Sequence, residues 1–86
     1  LTRELALEWA RHGIRVNAIA PGYISTELTD EMIAGESGRK WIERNTPMRR
    51  PGDVTELDGA MLLLASDAGS YITGETIAID GGWLAR

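Results

Sequence analysis

Hydroxyl-bearing residues follow directly on an apolar run in the first third of the chain. Residues 16–26 read VNAIAPGYIST, so the run ends at Pro21-Gly22 and the hydroxyls come after it. If the run is a strand of an open α/β sheet, this loop lies at the strand's carboxyl end, where such sheets bind ligands. The main-chain N–H and C=O of Ile24 and the hydroxyl of Thr26 are suited to holding a planar amide or a phosphate. A plain Pro-Gly turn is the alternative that these residues alone leave open.

The segments before this loop predict the helix and the strand that position it. Over residues 1–12, apolar and small side chains gather on one arc of a helical wheel, and Gly13 supplies a helix stop. Residues 14–20 form a nearly continuous apolar run, which predicts a strand in a parallel sheet covered on both faces. Pro21 cannot donate to a sheet ladder, so we expect the strand to end there. The chain begins at Leu1 inside the predicted helix, and we expect it to be a segment of a longer protein.

Residues 27–50 carry a weaker pattern, which is typical of a lid or a binding loop. We expect a short helix that is capped by Thr29 and broken by Gly35 and Gly38. A second short helix is expected to carry Trp41. The segment contributes little core of its own, which favours a role at the substrate side of a site.

A second long helix and a last strand complete the predicted elements. Asp53 and Glu56 have the spacing of a capping pair, and apolar residues then recur at helical spacing as far as Ala65. The last strand is expected over residues 75–80. The order helix, strand, lid, helix, strand predicts half of an open α/β sheet.

Composition excludes several classes of function. The 86 residues include no cysteine and one histidine, which excludes a disulfide framework, a thiolate metal site and a multi-histidine metal site. The net charge of −4 disfavours nucleic acid and an anionic membrane surface as partners. No apolar run approaches the ~18 residues of a membrane span. We expect a single cytoplasmic domain segment over residues 1–86.

Five stretches of the chain resemble the C-terminal part of the short-chain dehydrogenase/reductase family. They are LTRELA at 1–6, IRVNAIAPG at 14–22, YI-x-T at 23–26, SDAGSYITG at 66–74 and DGG at 80–82. Their order and spacing agree with the family from end to end. The resemblance implies an α/β fold, the C-terminal portion of a doubly wound, Rossmann-like parallel sheet. It also implies an oxidoreductase that interconverts an alcohol and a carbonyl with NAD or NADP.

The resemblance further implies a role for the residues of the loop and the lid. Those that would hold the nicotinamide end of the cofactor are Pro21, Gly22, Ile24 and Thr26. The main chain of Ile24 would pair with the carboxamide, and Thr26 would bond the carboxamide or the pyrophosphate. Tyr23 would lie nearer the substrate, and Trp41 would line the substrate pocket or anchor the lid. The second helix and the last strand would build the core and the subunit interface of a homo-oligomer, either a dimer or a tetramer.

The catalytic residues of the family are not recognisable in this chain. Its general acid/base is a tyrosine with a lysine four residues on, whose positive charge lowers the pKa of the tyrosine. Tyr23 and Tyr71 are followed at that spacing by Glu27 and Glu75. The catalytic serine and the Gly-rich phosphate turn would lie upstream of Leu1. We therefore expect no catalytic residue in these 86 residues, and no activity from the chain alone.

A basic cluster lies within the predicted lid. Its members are Arg39, Lys40, Arg44, Arg49 and Arg50. Such a cluster is suited to an anionic substrate, for example a sugar acid. The alternative, which the usual behaviour of such charges favours, is a solvated or interface-pairing surface.

Two functional hypotheses of different class result. In the first, the chain belongs to an enzyme that acts on a small-molecule substrate of sugar or sugar-acid type. In the second, it is a catalytically inactive fragment that serves only as a folding or self-associating assembly module. A Tyr-x-x-x-Lys pair shortly before Leu1 would separate the two. A nucleic-acid-binding role is disfavoured by the acidity and by the lack of a basic face.

Overall fold

Four helices and four short strands follow one another along the chain in the structure, a computed structural model that describes all 86 residues. In chain order they are α1 (Thr2–Trp9), β1 (Ala18–Pro21), β2 (Ile24–Ser25), α2 (Glu27–Met32), α3 (Glu36–Asn45), β3 (Gly52–Asp53), α4 (Asp58–Ala65) and β4 (Thr76–Ile79). Short 3-10 turns lie at Ala10–His12, Val54–Leu57, Asp67–Gly69 and Trp83–Ala85. This order confirms the predicted α/β class.

The chain divides into two compact units. The first unit comprises Leu1–Ala20 and Asp58–Ile77, and the second comprises Pro21–Leu57 and Ala78–Arg86. The loop that follows the first apolar run therefore belongs to the second unit. So do both helices of the predicted lid.

Both strand pairs are parallel. β1 pairs with β4, where the Ala18 N–H donates to the Glu75 carbonyl and the Gly22 N–H donates to the Ile79 carbonyl, each at 2.9 Å. Because the partners advance in the same direction along both strands, the pairing is parallel. β2 and β3 form the second parallel pair. The parallel pairing agrees with the prediction of an open α/β sheet.

α1 confirms the first predicted helix. A 3-10 turn extends it to His12, and Gly13 ends it in the left-handed region with a φ of 73°. Within the predicted apolar arc, Ala6 is buried whereas Leu1 is 88% exposed. The helix is therefore present, but much of its apolar arc is open.

The predicted strand over residues 14–20 begins later in the structure, at Ala18. The cause is the side chain of Asn17, whose Nδ2 donates to the Ile72 carbonyl at 2.9 Å. Asn17 Oδ1 also accepts the Glu75 N–H at 3.0 Å. These bonds take the place of regular ladder bonds, so the residues before Ala18 lie beside the neighbouring segment without forming a strand.

Two helices occupy the predicted lid, but their boundaries differ from the prediction. Thr26 is the N-cap of α2, because its Oγ1 accepts the Thr29 N–H at 3.2 Å; Thr29 was expected to be the cap and instead lies within the first turn. Gly35 separates α2 from α3, as predicted. Gly38 lies inside α3 and does not break it. A Cβ at Gly38 would collide with the Ile33 carbonyl, so glycine here permits a close approach.

α4 begins later than the sequence pattern predicts. Asp53 belongs to β3, and the 3-10 turn Val54–Leu57 precedes the helix. The predicted capping contacts are present, since the Asp53 N–H donates to Glu56 Oε1 at 2.9 Å and the Thr55 N–H donates to Asp53 Oδ1 at 3.0 Å. Asp53 thus remains extended in strand pairing while its side chain caps the turn, and the first turn is tightened to 3-10 geometry.

The buried apolar core is small. Ala6 is 3% exposed and Ile42 is 1% exposed, and they are the only apolar side chains that are fully buried. In β4, Ile77 and Ile79 are half-buried on one face, as predicted. Large apolar side chains that remain mostly exposed include Leu7, Leu28, Met32, Leu62 and Leu84. The longest helix has 10 residues, and none combines the length and the apolar character that a bilayer crossing requires.

Candidate functional site

The end of β1 brings Gly22 against Asp80. The Gly22 N–H donates to the Ile79 carbonyl at 2.9 Å. A Cβ at Gly22 would lie 2.7 Å from the Cβ of Asp80, so a larger residue would force the two segments apart. Asp80 is itself held, because its Oδ1 accepts the Gly82 N–H at 3.0 Å. Pro21, the last residue of β1, is exposed beside this junction.

Strand pairing holds Ile24 in an extended conformation. Ile24 lies opposite Gly52, and Ser25 lies opposite Asp53, in the parallel pair of β2 and β3. The Gly52 N–H donates to the Tyr23 carbonyl at 2.8 Å. A Cβ at Gly52 would lie 2.9 Å from Ile24 Cδ1, which shows how closely the two strands pack. The peptide groups around Ile24 are therefore fixed by β3.

Hydroxyl groups hold the next part of the loop. The Thr26 N–H donates to Thr29 Oγ1 at 2.8 Å, and the Thr29 N–H donates to Thr26 Oγ1 at 3.2 Å. Thr29 Oγ1 also donates to the Ile24 carbonyl at 2.6 Å. Ser25 Oγ donates to the carboxylate of Asp30 at 2.8 Å. The N-terminal turn of α2 is thus tied to β2 by side chains from both elements.

An ion pair closes the segment on the other side of β3. Arg50 forms two hydrogen bonds with the carboxylate of Glu56, at 2.7 and 3.0 Å. Glu56 also accepts the Asp53 N–H at 2.9 Å. The hydrogen bond from Arg50, followed by that from the Asp53 main chain, lowers the pKa of Glu56 to about 2. This pair brackets β3 and so supports the strand that holds Ile24.

A cleft of about 140 Å³ lies beside the loop within the second unit. Its lining includes Tyr23, Ile24, Arg50, Glu56 and Asp80. Charged groups of both signs therefore face a space that is walled partly by apolar side chains. The cleft is large enough for a few water molecules or for one small polar group.

Three aromatic rings form a cluster next to the cleft. Tyr23 and Trp41 meet edge to face with their ring centroids 5.6 Å apart, and Trp41 lies 5.4 Å from Trp83 in a tilted arrangement. The guanidinium of Arg86 lies 4.5 Å from the ring centroid of Trp83. Tyr23 lines the cleft whereas Trp41 does not, so Trp41 packs α3 onto the loop. This contact corresponds to the lid-anchoring alternative for Trp41.

The basic cluster of the lid is largely paired with glutamates. Arg39 lies 3.9 Å from Glu43 along α3. Lys40 pairs with Glu36 at 3.5 Å, also along α3. Arg50 is engaged by Glu56, as described above. These local pairs agree with the interpretation of the cluster as a solvated surface.

The chemistry of the loop fits a planar amide. Backbone groups at Ile24 and a hydroxyl at Thr26 offer neutral hydrogen-bonding positions close together in the chain. Glu27 and Asp30 lie in the first turn of α2, and their negative charge is unfavourable to a bound anion. The structure holds no group of three or more metal-ligating side chains. The loop therefore offers hydrogen-bonding positions that suit a neutral polar group better than an anion.

Sequence reasoning missed three contributors to this site. They are Thr29 as the centre of the loop's hydrogen bonds, the Arg50–Glu56 pair and the bracing carboxylate of Asp80. The Thr-x-x-Thr spacing of residues 26–29 is a capping signal that identifies the first. The Arg50–Glu56 pair joins residues six apart in an irregular segment, and the approach of Asp80 to Gly22 joins segments that are distant in sequence, so no local pattern reports either contact.

A protein-family model matches nearly the whole chain. The model is described as Enoyl-(Acyl carrier protein) reductase, and it matches residues 1–84. The curated relatives include 2-dehydro-3-deoxy-D-gluconate 5-dehydrogenase of Dickeya dadantii (strain 3937), which is 50% identical over 86 residues. That match covers 100% of this chain and 34% of the relative. The chain therefore spans about a third of the length of this relative.

Solved structures share the fold of the chain. The gluconate 5-dehydrogenase from Burkholderia cenocepacia J2315, in complex with NADP and tartrate, matches with a TM-score of 0.91 and 39% identity. That match covers 99% of this chain and 33% of the other. 4-Hydroxyisoleucine dehydrogenase complexed with NADH matches with a TM-score of 0.93 and 36% identity, over 99% of this chain and 35% of the other. The fold is thus that of a segment of a Rossmann-like dehydrogenase domain.

Proposed function

The chain belongs to the short-chain dehydrogenase/reductase family, and we propose that it is the C-terminal segment of an NAD(P)-dependent oxidoreductase that interconverts an alcohol and a carbonyl. In this proposal the nicotinamide end of the cofactor is held by Pro21, Gly22, Ile24 and Thr26. The bound nicotinamide supplies the hydride chemistry. The residues of this chain bind and orient the ring, which matters because hydride transfer requires closely aligned reactants.

The observation that carries the proposal is the construction of the loop after β1. Gly22 is fixed against Asp80 at the end of the strand, Ile24 is held by β3, and Thr26 is held by Thr29. A plain Pro-Gly turn requires none of these supports. Their presence at the carboxyl end of a parallel strand supports a ligand-orienting role.

The names of the relatives support a sugar acid as the substrate. The Dickeya dadantii relative is a 2-dehydro-3-deoxy-D-gluconate 5-dehydrogenase, and a second relative, from Gluconobacter oxydans, is a gluconate 5-dehydrogenase with 43% identity over 82 residues. The basic cluster of the lid adds little to this argument, because three of its members pair with glutamates. Tyr23 lines the cleft, and we assign it to the substrate side, where the neighbouring Trp41 anchors the lid against it.

The exposed apolar surface supports roles in packing and assembly. Leu7 on α1 is 83% exposed, and Leu62 on α4 is 68% exposed. Leucine is among the residue types that are most often buried in folded proteins. In the proposal, α4 and β4 contribute to a subunit interface of a cytoplasmic homo-oligomer, and residues 27–50 form the substrate lid.

The chain by itself is proposed to be inactive. Neither tyrosine is followed by a lysine at the spacing that the family's acid/base pair requires. Without that pair, no group in the cleft is matched to the proton transfer that accompanies hydride transfer.

The experiment measures oxidation of D-gluconate and reduction of a keto-gluconate by the intact protein, followed by the absorbance of the reduced cofactor. Thr26→Val is expected to raise the cofactor KM about tenfold, the loss of roughly one hydrogen bond. Thr76→Val, an exposed threonine on β4, is the matched control and is expected to leave the KM unchanged. Equal KM values for the two variants would remove the assignment of Thr26.

The assembly-module hypothesis remains the second candidate, because so few apolar side chains are buried. It predicts that the intact protein neither binds NAD(P)H nor oxidises any polyol or sugar acid, while the isolated chain forms a defined oligomer. Calorimetric titration with NAD(P)H and analytical ultracentrifugation separate the two hypotheses.

A further inference from the structure

The hydroxyl of Thr29 lies at the centre of the hydrogen bonds of the loop. Its Oγ1 is 2.6 Å from the Ile24 carbonyl oxygen and 2.8 Å from the Thr26 nitrogen. It also lies 3.0 Å from Thr26 Oγ1. One side chain therefore contacts both of the residues whose polar groups were assigned to the cofactor.

The protons of the two hydroxyls can be assigned from these contacts. A threonine hydroxyl donates one hydrogen bond and accepts two. The Ile24 carbonyl can only accept, so it receives the Thr29 proton across the 2.6 Å contact, which is shorter than the 3.2 Å contact to the Thr26 carbonyl. The Thr29 oxygen then accepts from the Thr26 N–H and from the Thr26 hydroxyl.

Thr26 Oγ1 is left with one free acceptor position. Its proton is donated to Thr29 Oγ1, and one of its lone pairs accepts the Thr29 N–H at 3.2 Å. The remaining lone pair can accept a hydrogen bond from a ligand. A ligand that itself only accepts, such as a phosphate oxygen, would have to break the Thr26–Thr29 contact first.

The charges around the loop also disfavour an anionic ligand. Glu27 and Asp30 lie in the first turn of α2, close in the chain to Thr26. Asp30 is held beside β2 by its hydrogen bonds with Ser25 Oγ at 2.8 and 3.0 Å. A phosphate would meet repulsion from these carboxylates, whereas a neutral amide would not.

We propose that Thr29 is a positioning residue that fixes the Ile24 peptide and presets Thr26 Oγ1 as a hydrogen-bond acceptor. The loop then selects a ligand group with an N–H donor over an anionic group. The identification of that group as the cofactor carboxamide rests on the proposed function. The hydrogen-bond network of the Thr26 and Thr29 hydroxyls does not depend on the proposed function, and it can be tested without a ligand.

Two substitutions in the intact protein isolate the hydroxyl. Thr29→Val removes it at nearly constant volume, and Thr29→Ser retains it. Thr55→Val is the matched control, because Thr55 Oγ1 bonds Asp53 at 3.1 Å near the start of another helix and is a separate hydroxyl contact.

The first measurement is amide hydrogen exchange in the cofactor-free protein. Thr29→Val is expected to speed exchange of the Thr26 N–H about tenfold, the effect of losing roughly one hydrogen bond. Thr29→Ser and Thr55→Val are expected to leave that exchange rate unchanged. An unchanged rate in Thr29→Val would overturn the proposed network.

The second measurement compares two cofactors by calorimetry. One is NAD(P)H, and the other is its acetylpyridine analogue, in which a methyl ketone replaces the carboxamide and no N–H is available. Thr29→Val is expected to weaken NAD(P)H binding about tenfold and analogue binding less than about twofold, because only the former loses a preset hydrogen bond. Thr29→Ser is expected to restore the wild-type ratio of the two dissociation constants.

The outcomes separate this inference from the proposed function. Equal losses for the two cofactors would show that Thr29 acts only on folding, which overturns the selection of an N–H donor. If the wild-type protein binds neither cofactor, the proposed function is wrong. In that case the exchange rate of the Thr26 N–H alone decides whether Thr29 presets the loop.

Discussion

At the scale of single residues, the loop is organised by short-range hydrogen bonds that residue types alone do not predict. Thr29 and Glu56 each accept a main-chain N–H and also bond another side chain. The Asp53–Glu56 spacing predicted one of these arrangements. The pairing of Glu56 with Arg50 was not predicted, because residues six apart in an irregular segment have no fixed spatial relation.

The hydrogen bonds of Glu56 lead us to predict that the protein loses stability in acid. Its pKa is lowered to about 2 by its hydrogen bond with Arg50, from an ordinary value of about 4.3. Because the folded form has the lower pKa, the unfolded form binds more protons between these values. The stabilisation is therefore complete above about pH 4.3 and is lost as the pH falls towards about 2.

The test measures the urea midpoint of the intact protein against pH. Glu56→Gln is expected to have a shallower dependence between about pH 4.3 and 2 than the wild type, because the titrating group is gone. Glu8→Gln, which changes an exposed glutamate of α1 outside this pair, is the control. Identical pH profiles for Glu56→Gln and the wild type would contradict the assignment.

At the scale of elements, the helices and the strands β1 and β4 were predictable, whereas their boundaries and the short strands β2 and β3 were not. Periodicity identified α1, and the apolar run led to β1. Asn17, however, replaces ladder bonds with side-chain bonds and delays the start of β1 to Ala18. Likewise, Asp53 remains in β3 because of its pairing with Ser25, which delays α4. In both of these cases a contact between distant segments outweighs a local pattern.

The candidate site was likewise predictable in part: its loop could be placed from the sequence, whereas its cleft could not. The position of the loop after β1 followed from the Pro-Gly stop and from the family resemblance. The cleft beside it was not predictable, because Tyr23, Arg50 and Asp80 come from three separated segments. Residue types identified what the loop can bind, and only the fold identified what supports it.

The junction between Gly22 and Asp80 gives a prediction at this scale. Gly22→Ala would place a Cβ 2.7 Å from the Cβ of Asp80, so the end of β1 must shift. We expect a loss of about 1–3 kcal/mol in the free energy of unfolding, typical of overpacking. We also expect a higher Kd for NAD(P)H, measured by calorimetry on the intact protein.

Gly59→Ala is the matched control for this substitution. Gly59 lies in α4, and a Cβ there would meet nothing within 4 Å. In an open helical position the change is expected to stabilise by up to about 1 kcal/mol. If both variants bind the cofactor as the wild type does, the close approach at Gly22 has no role in shaping the loop.

At the scale of the whole molecule, the chain exposes more surface than a folded protein of its size. Its accessible area is 6375 Å². A monomeric folded protein of 9.4 kDa is expected to expose about 5,000 Å². The excess agrees with the exposure of apolar side chains on α1 and α4. In the proposed function, these exposed apolar side chains are covered by further protein, either more of the same polypeptide or another copy of it.

The last prediction concerns the isolated chain. In the proposed function its loop contributes contacts for the carboxamide alone, and no Gly-x-Gly-x-x-Gly turn for the pyrophosphate occurs among its 86 residues. A few neutral hydrogen bonds contribute about 1 kcal/mol each, which is too little to offset the entropy lost on binding. We therefore expect fluorescence titration of the isolated chain with NAD(P)H to show no saturable binding, whereas the intact protein saturates. Tight binding by the isolated chain would mean that the cofactor is held by contacts other than those of the loop, and the assignment of the nicotinamide end to Ile24 and Thr26 would then have to be abandoned.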